Sequence, residues 1–184
     1  DMMFRYAYDY NQPTNFNTSK VTSMQRMFSS AYDFQQELIF DTSKVTSMER
    51  MFSEALNFNS QIYFNTSKVT NMNHMFYNTN FNQNISNWDT SRVTDMSSMF
   101  RNSRGIFNID VSSWDVSSVT SMERMFYRAD EFNRDLSSWN VSNVTNMDSM
   151  FYRATIFNQN ISFWCVTNII SEPVDFATLS ALTA

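Results

Sequence analysis

The sequence repeats with a period of 24 to 26 residues, and this repeat constrains the fold more than any other feature. An aromatic residue opens each unit, at Phe16, Phe40, Phe64, Trp88, Trp114, Trp139 and Trp164. A nearly fixed period in this range is typical of a solenoid, in which each unit packs mainly on its neighbours. The organisation it predicts is the C-terminal half of a preceding repeat in residues 1–15, six tandem repeats in residues 16–163, and the start of a C-terminal cap in residues 164–184. Because the chain opens in the middle of a unit, we expect it to be a fragment of a longer protein.

Large apolar residues recur at fixed places within the unit. Most opening aromatics are followed by a segment of the form Ser-x-Val-Thr-x-Met-x-x-Met-Phe, and a second aromatic comes soon after it. The chain holds 18 Phe and 14 Met, and side chains that are flat or flexible fill the gaps of a stacked core well. We therefore expect the methionine and phenylalanine rows of successive units to bury one another.

The segment after each valine-threonine pair carries the signals of a short helix. Capping boxes are present at Thr46-x-x-Glu49 and at Thr120-x-x-Glu123. The apolar residues that follow are spaced at i, i+3, i+4 and i+7, which is the pattern of one helix face: Met48, Met51, Phe52 and Ala55. Residues such as 136–141 are rich in β-formers and are interpreted as one short strand per unit.

These signals together predict an α/β fold, a leucine-rich-repeat-like right-handed solenoid with one short parallel strand and one short helix per repeat. Two length changes, one between Phe76 and Phe81 and one at Gly105, are predicted to lie in a surface turn. Pro173 is expected to end the pattern, because its ring does not fit a helix interior. Since the chain has one glycine, asparagine is expected at left-handed backbone positions.

Composition excludes several classes of function. The net charge of −5 provides no basic field for nucleic acid. One cysteine rules out an internal disulfide framework. No apolar run is long enough to cross a membrane, and no signal segment opens the chain.

The unit from Trp114 to Ser137 resembles the bacterial surface-protein repeat family, a relative of the BspA-like leucine-rich repeats. The resemblance covers nearly the whole chain. It implies a leucine-rich-repeat-type solenoid, an extracellular or cell-surface location as in mycoplasma surface lipoproteins, a role in adhesion, and no catalytic residues. The tail from Trp164 is similar to the family's cap, in which a second cysteine usually follows. For Cys165 the resemblance therefore implies a disulfide to a cysteine outside the chain.

A basic column is the first candidate site. Its members occupy equivalent positions in the first four repeats, at Lys20, Lys44, Lys68 and Arg92. Such a stripe fits an acidic glycan or a neighbouring subunit, and a solvated edge is the ordinary alternative. The threonine column beside it is similar to the arrays of ice-binding solenoids, but a capping-box helix would occupy each hydroxyl.

Other polar residues have a structural interpretation beside a functional one. The column of Asp and Asn after the opening aromatics offers oxygen ligands to Ca²⁺ or bonds its own turn: Asp41, Asn65, Asp89, Asp115 and Asn140. Six asparagines begin Asn-x-Ser/Thr triplets and are candidates for glycosylation: Asn17, Asn65, Asn84, Asn140, Asn143 and Asn160. His74, the one histidine, is expected to be a solvated surface residue, and Cys165 is not expected to act as a nucleophile.

No catalytic residue, cofactor or metal is therefore predicted. The leading hypothesis is a non-enzymatic extracellular repeat protein that presents an extended surface for adhesion or protein interaction, with a protein or glycan on a cell surface as partner. The alternative is a structural subunit of a surface filament, sheath or shell, which would bind copies of itself. Neither hypothesis involves nucleic acid or a membrane span in this segment.

Overall fold

The computed structural model describes residues 2–103 and 107–182 and shows a stack of repeats joined by backbone hydrogen bonds. We call each repeat in this stack a rung. Within the described ranges there is no helix and no strand longer than a single bridge. Six isolated parallel bridges connect successive rungs, at Ser23–Ser47, Leu38–Ile62, Ser47–Asn71, Asn71–Asp95, Asp95–Ser121 and Ser121–Asn146. The prediction of an α/β leucine-rich-repeat-like solenoid with one helix and one strand per repeat is therefore wrong.

A run of overlapping turns replaces the helix that the apolar spacing predicts. In the second full repeat, the N–H of Met51 donates to the Met48 carbonyl at 3.1 Å, a turn of three residues instead of the four of an α-helix. Alternate N–H groups donate to carbonyls of the next rung: that of Arg50 to Asn73 at 2.9 Å, and that of Phe52 to Met75 at 3.0 Å. Half of the backbone N–H groups in this run thus form hydrogen bonds between rungs, whereas an α-helix would form them within the same segment.

Left-handed backbone positions make this alternation possible. Sixteen described residues other than glycine have a positive φ, and they occur as pairs four residues apart, such as Arg50 at 54° and Glu54 at 61°. Asparagine fills only two of these positions, Asn78 and Asn102, so the expectation that it would dominate them is wrong. Each such residue costs roughly 1–2 kcal/mol of folding free energy. So many of them are tolerated only because the backbone is hydrogen-bonded to a rung on each side.

The strand that the sequence predicts before each opening aromatic is not formed either: the segments before Phe40 and Phe64 contain only the single Leu38–Ile62 bridge, and those before the tryptophans are turns. The N–H of Trp139 donates to the Leu136 carbonyl at 3.1 Å, and the same bond joins Trp114 to Val111. Beyond the end of the sixth repeat the ladder continues past Pro173, where Ser149 donates to Val174 and Phe151 to Phe176, both at 2.8 Å. Whether residues 164–184 begin a cap stays a prediction.

The core consists of aromatic and methionine columns that run along the stack, as the sequence predicts. The first phenylalanine column is fully buried, and its rings are 5.7–5.9 Å apart from one rung to the next: Phe28, Phe52, Phe76, Phe100, Phe126 and Phe151. Within a rung each ring lies against the second aromatic, as Phe126 does against Phe132 at 4.0 Å. The methionines of the full repeats are buried as well, with Met48, Met51 and Met75 at 0 % exposure.

The opening aromatics form a further column, and tryptophan gives it a hydrogen bond that phenylalanine lacks. The indole Nε1 of Trp114 donates to Ile85 at 3.1 Å, that of Trp139 to Val111 at 3.1 Å, and that of Trp164 to Leu136 at 3.0 Å. Each of these bonds reaches the preceding rung. Trp88 is the exception, because its buried Nε1 has no hydrogen-bond partner in the described residues. From Trp114 onward, tryptophan therefore changes the bonding between rungs as well as the size of the core.

The length change in the third repeat is accommodated by a buried threonine. The Thr79 hydroxyl donates to the Phe76 carbonyl at 3.1 Å and accepts the Phe81 N–H at 3.3 Å, which compensates for the shorter backbone. Thr79 is 1 % exposed, whereas Asn80 beside it is exposed, so the change lies only partly at the surface. The second length change, at Gly105, lies outside the described residues.

Candidate interaction surface

The segment after each opening aromatic presents two exposed columns on either side of a buried one. In the second full repeat Lys44 and Thr46 are exposed, and Val45 between them is fully buried. The same alternation is present in the other full repeats, except that Val21 in the first and Ser118 in the fifth are half-buried. Because parallel rungs that share backbone hydrogen bonds are about 4.8 Å apart, each column carries one side chain at about that interval.

The threonine column is held by hydrogen bonds that run along the stack. Both the N–H and the hydroxyl of Thr46 donate to the Thr22 carbonyl, at 2.8 and 3.2 Å, and the pattern repeats up to Thr145, which donates to Thr120. The capping boxes predicted at Thr46 and Thr120 are wrong, because no helix follows them. Each hydroxyl is instead used by the preceding rung, so the column is a fixed row of oxygens and methyl groups.

The cationic column is exposed at all four positions: Lys20, Lys44, Lys68 and Arg92. Within the described part of the chain none of these side chains makes a hydrogen bond or an ion pair. In later rungs the equivalent side chains bind the preceding rung: Ser118 donates to Ser91 at 2.6 Å, and Asn143 donates to Ser117 at 2.7 Å. The column therefore has four exposed cations without a hydrogen bond in its first four repeats, and two members that bind the preceding rung in the next two.

The Asp and Asn column fixes the turns of its own chain. The Asp115 carboxylate accepts the Ser117 N–H at 2.9 Å, and the Asp89 carboxylate accepts both the N–H and the hydroxyl of Ser91, at 3.1 and 2.6 Å. These bonds lower the pKa of Asp115 and of Asp89, and serine bonds do the same for Asp110 in a second set of turns. The structural interpretation of the column is thus confirmed.

Acid should weaken the fold through these turns. Because the folded-state pKa values are lowered, the stabilisation is present above the unfolded value of about 3.9 and is lost as the pH falls through the folded-state values. Replacing Asp89, Asp110 and Asp115 by Asn keeps an acceptor oxygen, as Asn65 and Asn140 show in other repeats, but removes the titration. Between about pH 5 and about pH 2, the Tm of the triple variant should fall by a few degrees less than that of the wild type, as measured by circular dichroism.

A matched control neutralises three exposed acids outside these turns, Glu37, Asp130 and Glu131, by conversion to their amides. This control should lose Tm on acidification as the wild type does. If it gains the same protection as the turn variant, the effect belongs to net charge and the turn explanation fails.

The glycosylation candidates are all exposed, and most of them are engaged in these same turns. Asn17 and Asn65 each accept the hydroxyl of the serine in their own triplet at 2.7 Å, which leaves the amide nitrogen, the atom that carries a glycan, directed away from that bond. Asn84, Asn140 and Asn160 accept the corresponding N–H, whereas Asn143 uses its amide nitrogen to bind the preceding rung. Glycosylation stays a prediction at all six positions.

His74 and Cys165 lie far apart in the chain and have no shared site. His74 is half-buried, not the solvated residue that the sequence suggests, and burial lowers its pKa to about 4, with the positive charges of Arg50 and Arg101 acting in the same direction. Cys165 is exposed and free, with its sulfur 3.9 Å from the Thr167 hydroxyl, and its pairing with a cysteine outside the chain stays a prediction. No group of three or more His, Cys, Asp or Glu in the described ranges is arranged to hold a metal ion.

Two columns were missed in the sequence. In the Phe-Asn pairs, each asparagine oxygen accepts the N–H of the next rung, as Asn108 does from Asn133 at 3.1 Å and Asn133 from Asn158 at 3.0 Å. The Phe-Asn pair, which recurs in every full repeat except the first (Phe34-Gln35), was a signal for this ladder. The other column combines tyrosine and arginine. Because its residue type changes from rung to rung, the one signal in the sequence was that its members occupy equivalent positions in successive repeats.

The stacked rungs and their side-chain ladders define a repeat protein. The family described as "Mycoplasma protein of unknown function, DUF285" matches residues 1–86, 39–106 and 77–183, and the chain belongs to this family. Comparisons with curated proteins and with solved structures found no match. In the described residues no helix is long and apolar enough to span a membrane.

Proposed function

We propose that the protein is a non-enzymatic, extracellular or surface-located solenoid that presents an extended surface for adhesion or protein interaction. The observation that supports this proposal is the free cationic column on a rigid ladder. The four side chains are exposed and make no hydrogen bond or ion pair within the described residues, whereas equivalent residues in later rungs bind the preceding rung. Lys44 and Arg92 act on the nearby carboxylates of Asp41 and Asp89 only through their charge, which, after the hydrogen bonds from serine, helps to lower the pKa of those carboxyls. An exposed ion pair within one chain contributes little to stability, so a regular row of such cations is better suited to an external anionic surface.

The spacing of the column determines the kind of partner that fits. Cations at intervals of about 4.8 Å attract a ligand with several negative charges along an extended chain, such as an acidic glycan or an acidic segment of a cell-surface protein. The threonine column beside the cations supplies hydroxyl oxygens in the same register. Long-range attraction of this kind is weakened by salt, because exposed charges are screened within about 8 Å at physiological ionic strength.

The test replaces all four cations by glutamine: Lys20→Gln, Lys44→Gln, Lys68→Gln and Arg92→Gln. Retention of the protein on host-cell surface or matrix preparations at physiological salt should fall at least about tenfold, or ~1.4 kcal/mol. The matched control changes the three lysines to arginine, which keeps the charge and should keep most of the retention. Absence of wild-type retention, or equal retention of the glutamine variant, would refute the proposal.

A structural subunit is the second candidate, and one observation favours it. Ile39 and Tyr63 precede the opening aromatics of adjacent rungs and are 82 % and 73 % exposed, which forms an apolar column on the outside of the stack. Copies that pack side by side through this column would form a sheath. Sedimentation velocity separates the two candidates, because a species that stays monomeric at high concentration rules out the sheath.

A further inference from the structure

The column of tyrosine and arginine passes through four consecutive rungs in one register. It consists of Tyr77, Arg101, Tyr127 and Tyr152, each three residues after a left-handed position. All four side chains are half-buried. The rings of Tyr127 and Tyr152 stack with their centroids 4.8 Å apart and their planes inclined by 16°.

Arg101 is held between two of these rings. Its guanidinium carbon lies 5.4 Å from the centroid of Tyr77 and 5.0 Å from that of Tyr127, both within the range of a cation–π contact. A guanidinium fixed by aromatic rings on two sides loses little further entropy when it binds a ligand. Its position is therefore set before any partner arrives.

This guanidinium has no anionic partner in the described residues. None of the three ion pairs there includes Arg101, and its Nε is buried without a hydrogen-bond acceptor. By contrast, Arg26 lies 3.2 Å and Arg124 2.5 Å from a glutamate oxygen. A planar guanidinium with free N–H groups matches the two oxygens of a carboxylate or sulfate, and a bidentate pair of this kind is among the stronger polar contacts.

A polar depression of about 420 Å³ adjoins Arg101 and is lined by Arg101, Arg124, Tyr127, Ser149, Tyr152 and Asp175. Its volume lies in the range of small-molecule sites, roughly 300–1,000 Å³. Hydroxyl groups, two arginines and one carboxylate line it, so it suits a ligand with many hydroxyl groups better than an apolar side chain. The lowered pKa of His74, caused first by burial and then by Arg50 and Arg101, is consistent with positive charge at this part of the surface.

We propose that Arg101 and the adjoining depression form a binding site for an acidic sugar. The carboxylate or sulfate group of the sugar binds the Arg101 guanidinium, while sugar hydroxyls bind the Tyr127 and Tyr152 hydroxyls and the Asp175 carboxylate. This site is separate from the cationic column and does not depend on the function proposed above. It would operate equally in an adhesin and in a structural subunit.

The experiment titrates the whole chain with three oligosaccharides of equal length in separate calorimetric runs. One carries carboxylates only (a hyaluronan fragment), one carries sulfates as well (a chondroitin sulfate fragment), and one is neutral (a maltose oligomer). We expect binding of one or both acidic probes and none of the neutral probe. The two acidic probes distinguish carboxylate from sulfate as the recognised group. No binding of either acidic probe, or equal binding of the neutral one, would overturn the proposal.

Two substitutions at Arg101 keep the test specific. Arg101→Gln removes the charge, and Arg101→Tyr places there the residue that the column already holds at Tyr77, Tyr127 and Tyr152, so it is compatible with the stack. Both should lower the affinity for the acidic probe at least tenfold with little change in Tm.

The matched control is Arg134→Gln, which removes one positive charge from an exposed position outside both the depression and the cationic column. It should leave sugar affinity unchanged. Equal losses in Arg134→Gln and Arg101→Gln would show attraction to net charge alone and would overturn the assigned site, whereas the cell-surface retention test depends on the cationic column and is judged separately.

Discussion

Replacing Phe126 by alanine should lower the free energy of unfolding by about 3–5 kcal/mol. The ring is fully buried and lies between Phe100 at 5.8 Å and Phe151 at 5.7 Å, with Phe132 against it at 4.0 Å. Three stacking contacts are lost at once, and rigid columns on both sides prevent the cavity from closing. Urea unfolding followed by tryptophan fluorescence measures the change.

The position of Phe126 adds a second expectation. In a stack each rung is stabilised by its neighbours, so a weakened inner rung uncouples the two halves. The unfolding transition of the variant should become broader than that of the wild type. The control is Phe163→Ala, because Phe163 is 80 % exposed and its loss should change stability by no more than about 0.5 kcal/mol. Equal effects at the two positions would contradict the buried column.

The second large effect is expected at Ser98, which has a φ of 55° and donates its N–H to Glu123 in the next rung at 2.7 Å. Proline fixes φ near −65° and has no N–H, so Ser98→Pro breaks both the local turn and the ladder. We expect a loss of at least about 3 kcal/mol. The same urea unfolding measurement applies.

Ser98→Gly is the matched variant, and the sign of its effect separates two folds. Glycine adopts a positive φ without steric cost, so it should raise stability by up to about 1 kcal/mol at this position. In a helix interior the same change would lower stability by up to roughly 1 kcal/mol. A destabilising glycine together with a mild proline would support the helix that the apolar spacing suggested and would contradict the run of turns.

The candidate surfaces differ in how much of them the sequence revealed. Lys20, Lys44, Lys68 and Arg92 were visible because a positive charge recurs at one position. The sequence did not show that the later members of the column bind their own stack, since that depends on the distance from Asn143 to the Ser117 carbonyl. The acidic-sugar site was missed because its residues differ in type and come together only when rungs align.

Burial could be derived from the sequence, whereas backbone hydrogen bonding could not. The repeat period and the apolar positions determined that Met48, Met51, Phe52 and Ala55 face the core, and all four are fully buried. That spacing is shared by a helix and by a run of overlapping turns, so it did not distinguish them. The tertiary structure decided between them, because a neighbouring rung lies on each side and accepts or supplies every second backbone hydrogen bond. Those bonds compensate for the energetic cost of left-handed backbone conformations at residues such as Arg50. An isolated segment lacks the bonds and would not adopt these conformations.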